Sequence, residues 1–367
     1  MISNLPVDVL EEILSKVPVT SLRRLRSTCK LWYHHALFKD PGFIKKHSDK
    51  TEREYYDVML IGYEVYSVSS NLNEVHLNSR LRLKGNHSLI NRPLSNSDQF
   101  GIYEAFHCDG LLLCTAVSRK HEARCVVWNP FSGKTRWIRP ISQYQRTREV
   151  YALGYNNKEL CHNYKILRVI SRKDLEIYEF SSNSWRSLDV STHGNLFTPG
   201  ASLKGNTYWV SSPSGVNEYS LLSFDFSTEK FQHLCVPFHK EAASFSTMAL
   251  SVVREEHLSL LLYHTGIWKS KIDIWIAKEI ETTFTSWSKF LHVDLKPGIM
   301  NCNLHPISFF IHEEKKVAVF CDDNNSKVCV VGEDESHQVP LIYKCLYLNY
   351  WPFPCPPTVF TYVPRFV

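Results

Sequence analysis

One unit recurs along most of this chain of 367 residues: two short runs of β-branched and aromatic residues, a polar turn, then an aromatic. "GLLLCTAV" leads to "CVVWNPFSGKTRWI", "YKILRVIS" to "LEIYEFSSNSWRSL", "GNTYWVSS" to "LLSFDFSTEKFQHL", and "LSLLLYH" to "IDIWIAKEIETTFTSWSKF". "KKVAVFC" with "KVCVVGEDES" makes a fifth unit, and "DVMLIGYEVYSV" with "NEVHL" an earlier one. The aromatics Trp137, Trp185, Phe231 and Trp287 stand 48, 46 and 56 residues apart. Runs of this kind, broken by Gly, Asn, Asp and Ser, predict strands. In "NPFSGK" the turn chemistry is explicit, because Pro130 fixes φ and Gly133 permits a left-handed residue. A period near 45 to 50 residues is that of a propeller blade, a four-stranded sheet that buries its faces only against its neighbours. A stacked β-sandwich is also made of short strands at regular spacing. The recurrence of one unit favours the propeller, with about six blades.

The first 45 residues follow a different rule. In "NLPVDVLEEILSKVPV" the residues Val7, Val9, Leu10, Ile13, Leu14 and Val17 share an arc of roughly 160° on a helix, with Asp8, Glu11, Glu12 and Ser15 opposite. Asn4 is placed to cap this helix, Pro6 is tolerated in its first turn, and Pro18 stops it after Val17. Thr20 or Ser21 then caps a second helix carrying Leu22, Leu25, Cys29 and Trp32 on one stripe. A third short segment, Trp32 to Phe38, ends at a turn made by Asp40, Pro41 and Gly42. Three short helices of this size rarely stabilise themselves, and they carry more apolar surface than one small core hides. They either pack on the large domain behind them or dock on another protein with an aromatic anchor such as Trp32.

The residues that carry this module resemble a known motif. "LPVDVLEEILSKVPVTSLRRLRSTCKLW" is similar to the F-box, with Leu5, Pro6, Ile13, Leu14, Pro18, Leu22, Arg26, Cys29, Lys30 and Trp32 matching in order and spacing. Thr28 stands where related sequences usually carry an apolar residue, and Val9 where Leu is commoner. The segments "VVWNPFSGKTRWI", "ALGYNNKELCHNYKILRV", "IYEFSSNSWRSL", "GASLKGNTYWVS" and "LLSFDFSTEKF" resemble the F-box-associated, kelch-like region of a large plant family, without the Gly-Gly doublet of true kelch repeats. The resemblance implies an α+β multidomain chain. Residues 1–45 are the helical F-box, and residues 46–367 an all-β, propeller-like domain. It also implies binding to a Skp-type adaptor through Leu5, Pro6, Ile13, Leu14, Leu22 and Trp32, and through that adaptor to a cullin and RING scaffold. The chain is then the substrate-recognition subunit of a ubiquitin ligase, which captures a protein target and itself needs no nucleophile. An adaptor-bound scaffold or sequestering protein outside any ligase is the alternative.

Composition narrows the remaining classes. Of the net charge of +5, residues 1–50 hold +4 (nine Lys/Arg against five Asp/Glu), which leaves +1 for the large domain. No basic patch with interleaved aromatics is visible there, so nucleic acid is not an expected partner. Eleven cysteines form no CxxC pair. His121 with Cys125, and Cys321 with Cys329, approach ligand spacing without a second pair, so no metal or cofactor is expected and the thiols read as free and buried. No signal-peptide pattern and no apolar run near the roughly 18 residues that span a bilayer occur, which predicts a cytoplasmic or nuclear protein and no membrane partner. No nucleophile-elbow, zinc-protease, Walker or dinucleotide motif appears, and Glu313 and Glu314 in "EEKK" belong to a solvated hairpin turn. Recognition is left to loops such as 118–124, 144–149 and 264–271, which combine Arg or Lys with aromatic or His side chains. The tail "NYWPFPCPPTVFTYVPRFV" fits either a loose proline-rich extension or a strand, "TVFTYV", that helps to close the ring.

Overall fold

Tight hairpins with left-handed turns generate the repeat. Asp109 and Gly110 take φ of +50° and +74°, and Lys204 and Gly205 take +51° and +87°, the pattern of two-residue turns whose twist matches that of the strands they join. A second family of turns, with Gly133, Asn183 and Glu229 at positive φ, precedes the recurring aromatics at the start of each outer strand. In the first of these the amide of Gly133 donates to the carbonyl of Asn129 (2.8 Å), and the Asn129 side chain accepts from the amide of Ser132 (2.9 Å).

The structure, a computed structural model, describes residues 6–28, 40–51, 53–61, 64–71, 74–80, 100–118, 123–140, 149–156, 162–212, 219–238, 245–264, 270–281, 285–295, 308–322, 327–333, 336–340 and 358–365. Its strands form six four-stranded antiparallel sheets. The first blade holds β1 (Tyr56–Ile61), β2 (Glu64–Asn71) and β3 (Glu74–Arg80). The second holds β4 (Phe100–Cys108), β5 (Leu111–Ser118), β6 (Ala123–Trp128) and β7 (Thr135–Ile138). The third is β8 (Val150–Asn156), β9 (Asn163–Val169), β10 (Leu175–Glu179) and β11 (Ser184–Leu188). The fourth is β12 (Asn195–Leu203), β13 (Asn206–Ser212), β14 (Ser220–Asp225) and β15 (Lys230–Leu234). The fifth is β16 (Phe245–Val253), β17 (His257–His264), β18 (Ser270–Ile280) and β19 (Thr285–Leu295). The sixth is β20 (Phe309–His312), β21 (Val317–Asp322), β22 (Lys327–Gly332) and β23 (Ser336–Pro340). A last strand, β24 (Thr358–Tyr362), returns to the first blade and pairs antiparallel with β1, Tyr56 opposite Tyr362 and Leu60 opposite Thr358.

The strands β24, β4, β8, β12, β16 and β20 each touch the next, and β20 touches β24, so they form a closed inner ring. The apolar core lies between blades rather than within them. Val58, Leu60, Leu112 and Val126 join blades one and two, Trp209 and Phe224 of blade four pack with Leu167 and Ile177 of blade three, and Met59 and Val359 pack with Val319 and Val330 at the closure. The recurring aromatics tie the outer strands to the preceding blade. Trp185 donates its indole N–H to the carbonyl of Arg139 (2.9 Å), and Trp287 donates to Cys235 (3.0 Å). One fully buried cation interrupts this pattern, Arg168 on β9, and it is matched by carboxylates of Glu149 (2.7 Å) and Glu176 (2.8 Å).

Among the described residues, three helices precede the ring: α1 (Val7–Leu14), α2 (Val19–Thr28) and α3 (Pro41–Lys50). Several expectations about them change. Pro6 occupies the cap position of α1, whose amide of Leu10 donates to the Pro6 carbonyl (3.0 Å), while Asn4 lies outside the described residues. The α1 helix stops at Leu14, four residues ahead of Pro18. Thr20 does not cap α2. It lies inside the helix and donates its hydroxyl to Glu54 (2.8 Å) on the segment entering the ring. The third segment, 32–38, is outside the described residues. "KDPGF" starts a helix rather than making only a turn, because Asp40 accepts from the amide of Phe43 (2.8 Å) and Pro41 fits the first helical position. Since α3 runs to Lys50, the helical unit passes the expected boundary at residues 45 and 46.

The sequence left the tail open between a loose extension and a closing strand, and β24 supplies the latter. Removal of residues 350–367 takes β24 from the ring, unpairs the edge of β1 and removes Val359 and Tyr362 from the seams with the neighbouring blades. The expected result is a lower melting temperature, by several degrees at about 2–4 °C per kcal/mol for a domain of this size, read by circular dichroism of the full and truncated chains.

Candidate functional site

The α1 helix divides its apolar arc. Leu10 and Leu14 are buried and pack with Leu22 of α2 and Phe43 of α3, with Val17 and Leu25 at the edge of this small core. Val7, Val9 and Ile13 stay 58%, 40% and 47% exposed, and Pro6 is exposed beside them. Of the residues expected to face an adaptor, Pro6 and Ile13 are therefore on an open surface. Leu14 and Leu22 are not, at 3% and 0% exposed. Their side chains pack with Leu10 and Phe43 behind that surface. Leu5 and Trp32 are outside the described residues. Charge fixes α1 to α3: Lys46 reaches Glu11 (3.0 Å) and Lys50 reaches Glu12 (2.7 Å), and the Lys50 and Lys46 contacts hold the Glu12 carboxyl down to about 2.

The helical unit is also fastened to the ring. Val19 of α2 packs with Trp128, Phe131 and Tyr362, so part of this module does bury apolar surface on the large domain. Tyr55 donates its hydroxyl to the carbonyl of Arg254 (3.0 Å) in the turn between β16 and β17. The central fastener is Arg365, just beyond β24. Its guanidinium lies 2.7 Å from Asp109 and 2.5 Å from Glu255, and it donates to the Ser48 hydroxyl of α3 (3.3 Å). Asp109 also accepts from Tyr164 (2.5 Å) and contacts His162 (2.7 Å). Burial pushes the Asp109 carboxyl up, but His162, Arg365 and Tyr164 outweigh it and hold the group below its ordinary value. The chain passes so close here that a Cβ on Gly110 would stand 2.9 Å from the Val363 carbonyl oxygen.

Beside this cluster lies a cavity of about 600 Å³, opening between blades four and five at the end of the ring that carries the helices. His107 stands at its axial end, stacked on Phe360 at 5.2 Å, and burial lowers its pKa to about 4. The strand ends that border segments 118–124, 144–149 and 264–271 belong to the opposite end of the ring, since they follow β5, β7 and β17 rather than the inner strands. Those segments fall largely outside the described residues. Of the six described free cysteines, Cys108, Cys114, Cys125, Cys321 and Cys329 are buried as expected and Cys235 is exposed. Burial pushes the Cys125 thiol up to about 12, so it holds its proton at neutral pH.

Closed blades with a helical unit attached at one end define a propeller protein with an N-terminal helical module. The sequence profiles agree with that division: the "F-box domain" matches residues 2–42 and the "F-box associated beta propeller domain" matches residues 56–367. The chain belongs to the family of F-box proteins with an associated β-propeller. It is 49% identical to the Arabidopsis thaliana F-box protein At3g17560, over 100% of this chain and 98% of that one. It is 42% identical to the F-box/kelch-repeat protein At3g22730 of the same plant, over 100% and 97%. Among solved structures, TolB from Acinetobacter baumannii is similar at a TM-score of 0.42 and 10% identity, covering 83% of this chain and 65% of that one.

The buried groups at the axial cluster make stability depend on pH in a defined direction. His107 is neutral in the fold down to about pH 4, whereas in the unfolded chain it takes up a proton below about 6.5. The unfolded state therefore binds more protons between those values, and stability falls as the pH drops through that window. The contribution of Asp109, whose pKa is depressed, is lost only at lower pH. Glu255, raised chiefly by burial, acts in the opposite sense, so the comparison must be made between variants. His107→Phe, which keeps the stacking surface, is expected to reduce the fall of the melting temperature between pH 6.5 and 4, the remainder coming from His47 and His264, whose pKa burial also lowers. Melts of both chains across that range check this.

Proposed function

We propose that this chain is the substrate-recognition subunit of a Skp–cullin–F-box ubiquitin ligase, active in the cytoplasm or nucleus. The observation that carries this is the open row of Pro6, Val7, Val9 and Ile13 on a helix whose Leu10 and Leu14 pack with Leu22 and Phe43 instead. An apolar row of this kind beside a polar face suits a protein partner, and the F-box match supports a Skp-type adaptor as that partner. The ring then holds a protein target near the charged conjugating enzyme that the cullin and RING scaffold brings. Its contribution is effective concentration of the target's lysines, and no nucleophile, metal or cofactor on this chain is required.

Burying Ile13 contributes about 1.5–3 kcal/mol, so Ile13→Asp is expected to weaken adaptor binding by roughly tenfold to a hundredfold or more. The side chain is exposed, and the thermal transition should not move. Leu22→Ala, in the core behind it, is expected instead to cost about 2–5 kcal/mol of stability in the helical unit. Adaptor pull-down with each variant, alongside its melt, separates the two roles. Full retention of the adaptor by Ile13→Asp overturns the docking assignment. Capture of an adaptor that brings a cullin supports the ligase, and an adaptor without a cullin supports a scaffold.

A further inference from the structure

Two units joined by a linker reorient relative to one another unless further contacts hold them. Three contacts bear on this joint. Val19, at the start of α2, packs with Trp128, Phe131 and Tyr362 of the ring. That contact is apolar, so it resists separation without setting a direction. Tyr55, between α3 and β1, donates to the carbonyl of Arg254 (3.0 Å) and fixes the linker rather than the helices. Arg365 donates to the Ser48 hydroxyl (3.3 Å), in the last turn of α3, and this contact is both directional and on a helix.

Arg365 is itself held from three sides. Its Nε lies 2.7 Å from Asp109 in the turn between β4 and β5, and its Nη2 lies 2.5 Å from Glu255 in the turn between β16 and β17. The third nitrogen, Nη1, is the one that reaches Ser48. Both carboxylates stand on residues with positive φ, +50° at Asp109 and +56° at Glu255, at the tips of inner hairpins of blades two and five. The backbone is fastened as well, because the Asn129 side chain donates to the Arg365 carbonyl (3.1 Å). Glu255 also meets Arg53 of the linker (3.4 Å), so entry and exit segments share one carboxylate. A planar guanidinium with a separate partner on each nitrogen cannot turn without breaking a bond, whereas a lysine is a single point of charge.

We infer that Arg365 is a positioning residue, which fixes the angle of the helical unit on the ring by holding α3 to the turns of blades two and five. In a ligase subunit that angle also sets where a captured target stands relative to the adaptor. This consequence rests on the proposed function, whereas the fixed angle does not.

The test is a distance distribution from pulsed electron paramagnetic resonance on the full chain. Nitroxides are attached through ketone-bearing unnatural residues at Lys16, after α1, and at Lys173, in the turn between β9 and β10, which are both exposed. The native cysteines then stay unlabelled. The wild-type chain should give one narrow distribution. Arg365→Gln should broaden it roughly twofold or more, and Arg365→Lys should fall between the two. Arg365→Gln also leaves Asp109 and Glu255 as unpaired buried charges, which can lower the melting temperature. The same measurement is therefore made on a triple variant that adds Asp109→Asn and Glu255→Gln. Asn suits a left-handed backbone, and both amides keep an acceptor oxygen for Tyr164 and Arg53. The triple variant should broaden as Arg365→Gln does while its ring melts at the wild-type temperature. Adaptor pull-down by all four chains should be equal; its absence from all four counts against the ligase and leaves the fixed angle standing. A broad distribution in the wild-type chain, an unchanged one in the triple variant, or broadening only together with loss of the ring transition each overturns the inference.

Discussion

The pairing of β24 with β1 is the contact on which the rest of the structure depends. It joins residues 358–362 to residues 56–60, about three hundred positions apart, by a five-residue antiparallel register. Each blade buries its faces only on its neighbours, so a missing strand in the first blade would uncover the last blade as well. Met59 and Val359 meet Val319 and Val330 across that seam, and the apolar contact and the backbone ladder support each other. Closing so long a loop carries a large entropic cost. It is offset by the ladder with β1 and by the apolar contacts that β24 makes on both sides of the seam.

The same seam sets where the helical unit sits. The chain leaves α3 at Lys50, enters β1 six residues later, and leaves β24 toward Arg365, so the entry and exit segments run side by side over one end of the ring. Thr20 with Glu54, Tyr55 with Arg254, and Arg365 with Asp109, Glu255 and Ser48 are all contacts between those segments and the turns they cross. A single short linker would leave the two units free to reorient. Buried, multiply bonded charges do not, because breaking one partner leaves the others desolvated and unpaired. The orientation of the docking face relative to the ring is thus a property of the closure.

Much of this was legible in the sequence, and the parts that were not share a cause. The second, third and fourth strands of the blades announced themselves because they are β-branched and end in turns with a definite chemistry, as in "VVWNPFSGKTRWI". The inner strands did not. "FGIYEAFHC" and "NLFTPGASL" mix Gly, Pro, Ser and Glu with aromatics, and each is the end strand of its sheet, paired on one side only, with its other edge toward the axis. Gly200 within β12 even makes room for the Trp209 ring, which would lie 2.4 Å from a Cβ there. On α1 the apolar arc was plain, but its division was not: Leu14 and Ile13 are adjacent in sequence, and which one faces the core depends on Phe43, thirty residues on. Arg365 looked like part of a tail because its carboxylate partners lie 256 and 110 residues earlier, at Asp109 and Glu255.

The step of 56 residues to Trp287, where its predecessors stand 48 and 46 apart, belongs with these. Extra length in a repeat usually enters as a loop, which leaves the ladder beneath it intact. In the fifth blade half of it enters as ladder on β18, 11 residues against 6 in β14, and β18 runs along β19 past the point where its pairing with β17 ends. Natural sheets protect such edges with charge, and Lys278, Glu279 and Glu281 stand here.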